Sequence, residues 1–205
     1  PPPPQDIRHL GIEPSANVAE AARKDGVNTL CAFFNVQTAE KVRAEYGQAD
    51  VIQAANVMCH IPDLVGVADG VAALLKPEGV LIFEDPYLGD VIEKTSYDQI
   101  YDEHVFLFSV RSVNNAFAPH GLVVIDAEPQ ITHGGSMRYT LGRPEHHTPT
   151  DAVLAQQDKE RALGLESPAT YDRFRQNCEK SRDDLMTLLR DLKAQGKRVV
   201  GYGAT

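Results

Sequence analysis

Two hydrophobic periods alternate along the first ninety residues. RHLGIEPS, VNTLCAFF, ADVIQAANVM and VLIFEDP hold short apolar runs bounded by Gly, Pro, Asn or Asp, and read as four strands. Between them ANVAEAARKDG, TAEKVRAEYG and LVGVADGVAALLKPEG carry helical spacing. The first of these closes at Gly26 and the third breaks at Pro77 and Gly79. Such alternation predicts parallel βαβ units, with helices on both faces of the sheet. After Pro86 the rhythm changes. DVIEKTSYDQIYDEH reads as a polar helix and SVRSVNNAFAPHG as another, ending at Gly121. LVVIDAEPQ and SMRYTLGR follow closely, as an antiparallel pair does. PEHHTPTD, with His146 and His147, predicts a hinge. A long helix is predicted from ATYDRFRQ to Gly196, with Leu185, Leu188, Leu189 and Leu192 on one stripe. KRVVGYGAT reads as a strand entering a Gly-x-Gly turn, and PPPPQDI as a stiff extended start. No internal repeat is visible. The expected organisation is an α/β core over 1–142, then a hinge, a long helix and the start of a second α/β domain over 143–205.

Composition narrows the partners. The chain of 205 residues has a formal net charge of −9, with 29 acidic against 20 basic residues. A broad nucleic-acid surface needs clustered cations, so that class is disfavoured. Anionic small molecules stay open. No run reaches the 18 or so apolar residues of a membrane span, and no signal peptide is recognised. Cys31, Cys59 and Cys178 are scattered, without a CxxC pair. Neither a disulfide framework nor a cysteine zinc site is indicated, no metal ligand set is assigned, and a reducing cytoplasm is the expected compartment.

In a sheet of this kind ligands bind beyond the carboxyl ends of the strands. Glu13 ends the first strand; it is either an acceptor for a ribose diol or a solvated loop acid. Phe33 and Phe34 end the second, to stack on an adenine or to fill core. At the end of the third, Ala54 and Ala55 allow close approach, while Asn56 and His60 supply polar groups. YDEHVFLFS then places Tyr101, Asp102, Glu103 and His104, all able to exchange a proton, against an apolar run. His104 at that boundary suits a base tuned by partial burial. On a helix, Tyr101 and His104 would share a face. The alternative is a solvated turn before a core strand. HGGSMR (133–138) offers backbone N–H groups and Arg138 to an anion, or is a hairpin turn with a surface arginine.

The segment LLKPEGVLIFEDP resembles the fourth-to-fifth strand passage of class I S-adenosylmethionine methyltransferases. HIPD, FEDPYLGD, YDEHVFLFS and HGGSMR, in that order, resemble the sugar C-methyltransferases that act on nucleotide-linked deoxysugars, the 3-C-methyltransferase type. The resemblance extends over most of 8–142 and again at GKRVVGYGAT. It implies a Rossmann-like class I sheet, S-adenosylmethionine as methyl donor, a nucleotide-linked keto-sugar as substrate, a monomer in the intact family, and a place in deoxysugar and antibiotic biosynthesis. Glu13, Phe34, Ala55 and Asn56 would meet the cofactor. His60, Tyr101, Glu103 and His104 would face the sugar, and His133, Gly134, Gly135, Ser136 and Arg138 would line its pocket. C-methylation beside a ketone requires loss of an alpha proton and an enolate, for which His104, with Tyr101, is the expected base and His60 its competitor.

Departures from the family pattern carry their own expectations. These enzymes begin with a cysteine-rich zinc lobe and a Gly-rich first strand and loop, neither of which is recognised in this sequence; zinc is expected only in such a lobe. Ala32 stands where relatives often have an acid for the adenine amine. The expected sheet is therefore incomplete. A chain without that strand is expected to bind S-adenosylmethionine weakly or not at all, and to associate through free strand edges or dissolve poorly; whether it is active alone the sequence leaves open. Two rival readings remain: a nicotinamide-dependent oxidoreductase, from VVGYGAT, and a non-catalytic fragment or interaction module.

Overall fold

The computed structural model describes residues 7–203, so the extended start expected at residues 1–6 lies outside the described residues. The first strands are brief. β1 (Gly11–Ile12) and β2 (Thr29–Leu30) pair in parallel and are joined by α1 (Ala16–Lys24). After α2 (Val36–Tyr46), β3 (Ala49–Ala55) and β4 (Leu75–Pro86) form the next parallel pair, with α3 (Leu64–Leu74) crossing between them. α4 (Leu88–Lys94) and α5 (Val110–Phe117) follow. β5 (Val123–Gln130) and β6 (Ser136–Gly142) make an antiparallel hairpin, and β6 lies against β4. The second sheet thus runs β3-β4-β6-β5. α6 (Asp151–Leu163) and α7 (Pro168–Ala194) close the described chain.

β4 is the hub. Leu81, Phe83 and Asp85 alternate onto one buried face. There Phe83 meets Phe108, Phe117 and Tyr139 at centroid distances of 5.7, 6.2 and 4.9 Å. The other face presents Ile82 and Glu84. A smaller cluster of Ala39, Val42 and Leu74, joined by Leu10, Ile12, Leu30 and Ile52, fastens β1 and β2 to α2, α3 and β3.

Several elements differ from the sequence reading. The third helix stops at Leu74, before Pro77, because Leu75 already adopts extended angles and pairs with Ala49. The polar helix expected over 90–104 ends at Lys94, where Thr95 turns left-handed at φ 56°. A 3-10 turn at Tyr97–Gln99 and an irregular turn follow, so 101 and 104 do not lie on a helix. VFLFS forms no strand; Phe108 makes an isolated bridge to Tyr87. α6 was not anticipated. It docks Val153, Gln156 and Glu160 into the core. The buried Glu160 carboxylate accepts the N–H groups of Val110 at 2.7 Å and Arg111 at 3.1 Å and the Tyr87 hydroxyl at 3.2 Å, so it satisfies open donors at the start of α5. α7 is as long as expected, but Leu185 and Leu188 on its stripe face outward. Residues 197–203 form no strand, and Val200 and Tyr202 are exposed.

Candidate active site

Two loops meet beyond the carboxyl ends of β3 and β4. The first leaves β3 at Asn56, whose φ of 53° is left-handed, and forms a 3-10 turn over Met58–His60. The Asn56 N–H is held by the Glu84 carbonyl at 2.7 Å, so the turn is anchored on β4. The second is the turn over 101–104. Three hydrogen bonds join the two loops. The Cys59 carbonyl accepts the N–H of Val105 at 2.9 Å and of Phe106 at 3.2 Å. His60 Nδ1 lies 2.7 Å from the Glu103 carbonyl, which can only accept, so Nδ1 carries the proton and the lone pair of the neutral ring is on Nε2.

His104 is fixed the same way. Its Nδ1 donates to the Gln99 carbonyl at 2.7 Å, and the Tyr101 hydroxyl lies 2.8 Å from Nε2. The phenol therefore donates to the imidazole lone pair. The Tyr101 and His104 rings lie tilted at 34° with centroids 4.0 Å apart, and those of His60 and His104 are 5.0 Å apart. Tyr101 and His104 are thus brought together by a turn rather than by a helical face. Glu103 contributes its backbone carbonyl while its side chain points to solvent.

Under this pair lie two groups that the sequence reading did not single out. Cys59 is fully buried, and Asp85 is fully buried with neither carboxylate oxygen hydrogen-bonded. Burial pushes the Asp85 carboxyl up, against the opposing pull of Cys59, His60 and His104 nearby. Burial, then the adjacent Asp85, pushes the Cys59 thiol far up. A signal for Asp85 was present in the sequence. It shares the odd-numbered parity of Leu81 and Phe83, so whichever face buried Phe83 buried Asp85 as well.

The other expected residues form separate groups. Glu13 accepts the Ser15 N–H at 2.8 Å just after β1. Phe34 packs partly into the core while Phe33 is exposed, and Ala55 stands exposed at the end of β3. HGGSMR is the β5–β6 hairpin turn. His133, Gly134 and Gly135 all have positive φ, and the Gly135 carbonyl accepts the Tyr87 N–H at 3.1 Å, which sets the loop beside the end of β4. At Gly135 (φ 144°) a Cβ would stand 1.9 Å from Asp90 Oδ2, so only glycine fits. Ser136 is buried and donates to the Thr132 carbonyl. Arg138 sits directly across from Glu84 and Glu128 and bonds both, at 3.1 and 3.0 Å. Its charge is shared with these two carboxylates, while Nε–H and one Nη1–H take no part in these bonds. The exposed VVGYG segment has no strand to lead a dinucleotide-binding turn. A cavity of about 440 Å³ opens elsewhere, lined in part by Ser109, Arg111, Gln157 and Tyr171; it contains none of the histidines.

Residues 5–127 match the family described as methyltransferase domain. This chain belongs to that methyltransferase family. Residues 131–205 match the C-methyltransferase C-terminal domain. Among curated proteins, C-methyltransferase NovU of Streptomyces niveus is 34% identical over 198 residues, covering 96% of this chain and 47% of that protein. The chain therefore spans about half the length of that relative. An S-adenosylmethionine-dependent methyltransferase from Anabaena variabilis superposes with a TM-score of 0.50 at 13% identity, covering 65% of this chain and 67% of the other. A putative methyltransferase in complex with Trm112 of Haloferax volcanii gives 0.50 at 16%, with coverage of 66% and 71%. These likenesses establish the Rossmann-like class I methyltransferase fold. Among the described residues no helix of this chain is long and apolar enough to cross a membrane.

Proposed function

We propose that this chain is part of an S-adenosylmethionine-dependent C-methyltransferase that methylates the carbon alpha to the ketone of a nucleotide-linked deoxysugar. The observation that carries the reading is the Tyr101–His104 pair: a phenol donating at 2.8 Å to an imidazole lone pair, on a ring fixed by Gln99, beyond the strand ends where this fold binds its ligands. The name of the relative supports methylation at carbon rather than oxygen or nitrogen. Proton abstraction from carbon fits a site built around a neutral, oriented histidine.

When bound, S-adenosylmethionine supplies the electrophilic methyl. Glu13, just after β1, would accept from its ribose, and Ala55 and Asn56, at the end of β3, would meet it, a reading supported by the small residue and the left-handed turn that leave the backbone open to close approach. His104 Nε2 takes the alpha proton, and the Gln99 carbonyl then stabilises the imidazolium through Nδ1–H. The Tyr101 O–H, displaced from Nε2, turns to the enolate oxygen. His60, held by Glu103, orients the sugar. The HGG turn lines the far side of the pocket, and Arg138 meets a pyrophosphate with its remaining N–H groups or by releasing Glu128, the more exposed of its two carboxylate partners.

The reading is tested by incubating the intact enzyme with a nucleotide-linked keto-deoxysugar and S-adenosylmethionine bearing an isotopically labelled methyl. The expected product carries the labelled methyl on a ring carbon next to the ketone, seen by NMR as couplings from the neighbouring ring protons to the labelled carbon. Label on oxygen, or no transfer to any keto-sugar nucleotide, contradicts it.

A further inference from the structure

Cys59 and Asp85 are the two groups at this site that proton transfer does not use. Both are fully buried, and they lie against each other: the Asp85 carboxylate has the Cys59 thiol and main-chain N–H as its near neighbours, neither in good hydrogen-bond geometry. A buried acid so poorly satisfied is rare and calls for an explanation. Cys59, His60 and His104 each place one ligating atom within 4.8 Å of the other two. Both histidines donate Nδ1–H to a main-chain carbonyl, the arrangement that orients a ring for metal binding through its second nitrogen. Tetrahedral zinc spaces sulfur and nitrogen ligands about 3.5 Å apart, so the side chains need close by roughly 1 Å. Thiolate and imidazole together suit a borderline-soft ion.

We propose that Cys59, His60 and His104, backed by Asp85, form a binding site for a divalent cation of the zinc class, and that the bound ion withdraws His104 from proton transfer. On binding, the Cys59 S–H bond breaks, an S–metal bond forms, and the proton leaves to solvent. The Tyr101 hydroxyl releases His104 Nε2 to the metal, and no oxidation state changes. Asp85 also gives up its proton to solvent as the ion binds, and its carboxylate, as fourth ligand or from behind the site, joins the Cys59 thiolate in balancing the two positive charges of the ion. Affinity rises with pH, because ligands must lose protons. The binding half of this inference stands alone; the silencing half rests on His104 as the base.

Cobalt(II) titrated into the reduced chain tests the binding half. One cobalt per chain is expected, with a thiolate-to-cobalt charge-transfer band in the near ultraviolet and intense tetrahedral bands in the visible, all removed by added zinc. Cys59→Ser abolishes the charge-transfer band, whereas Cys31→Ser with Cys178→Ser keeps it. Asp85→Asn weakens binding by about 10–100-fold, the range for a group that backs a ligand. Should Cys59→Ser fail to fold, His60→Gln, at a half-exposed position, decides: it must weaken cobalt binding further than Asp85→Asn does. No bound cobalt, or a band that survives Cys59→Ser, overturns the site. For the silencing half, saturating zinc must stop exchange of the substrate's alpha proton in the intact enzyme; unchanged exchange overturns it. Exchange lost in His104→Ala without any cobalt binding removes the metal site and leaves the base in place.

Discussion

Asp85 is the residue whose environment departs furthest from what its chemistry prefers. It faces the same interior as Phe83, and desolvation raises its carboxyl above the ordinary value. In the unfolded chain an aspartate ionises near 3.9, as a rough reference. Between that pH and the higher native value, the folded protein keeps a proton that the unfolded chain has released. Stability from this group is therefore full below about pH 4 and is lost as pH rises. Asparagine does not titrate. Chemical unfolding across pH should show Asp85→Asn gaining on wild type as pH climbs from about 4 toward neutral, on top of any constant offset from burying the amide. A gap that does not move with pH, or that moves the other way, contradicts the burial argument. At this scale the sequence exposed Tyr101, Glu103, His104 and His60, because proton-transfer residues beside an apolar run are visible in one dimension. It did not single out Cys59 or Asp85. Their meaning depends on which loop folds over which strand end.

Among the elements, the β5–β6 hairpin and the early βαβ units were legible, since alternation and helical spacing mark them plainly. α6 was not, and its inward face explains why. Two of its three buried residues are Gln156 and Glu160, so no apolar stripe advertises it. What docks the helix there includes hydrogen bonding: Glu160 receives three donors from α5 and Tyr87. Glu160→Ala strands those donors, and at about 1–3 kcal/mol for an unsatisfied buried group the loss should be about 3 kcal/mol in urea unfolding. A change under 0.5 kcal/mol would mean that water replaces the carboxylate. The turn over 95–104 misled for a related reason. Its polar residues fit a helical pattern, yet Thr95 is left-handed and Tyr101 is positioned by its bond to His104.

At the scale of the whole molecule, two sheets share one set of helices while leaving edges open. Among the described residues β1 pairs only with β2, and β3 only with β4. Val51 on β3 is 55% exposed. Unpaired parallel edges are templates for another chain. Light scattering of this chain should therefore give a mass that climbs with concentration; a monomer at every concentration that melts cooperatively contradicts it. The central claim concerns the intact enzyme, and proton exchange reads it without methyl transfer. With S-adenosylhomocysteine in deuterated water, NMR follows loss of the alpha proton from the keto-sugar nucleotide. His104→Ala is expected to slow this loss by about 10²–10⁴-fold. Tyr101→Phe should fall between that and wild type, and His60→Ala should mainly weaken sugar binding or methyl transfer, with a smaller loss of exchange than His104→Ala. Exchange at the wild-type rate in His104→Ala would contradict the assignment and move the base to His60 or Tyr101.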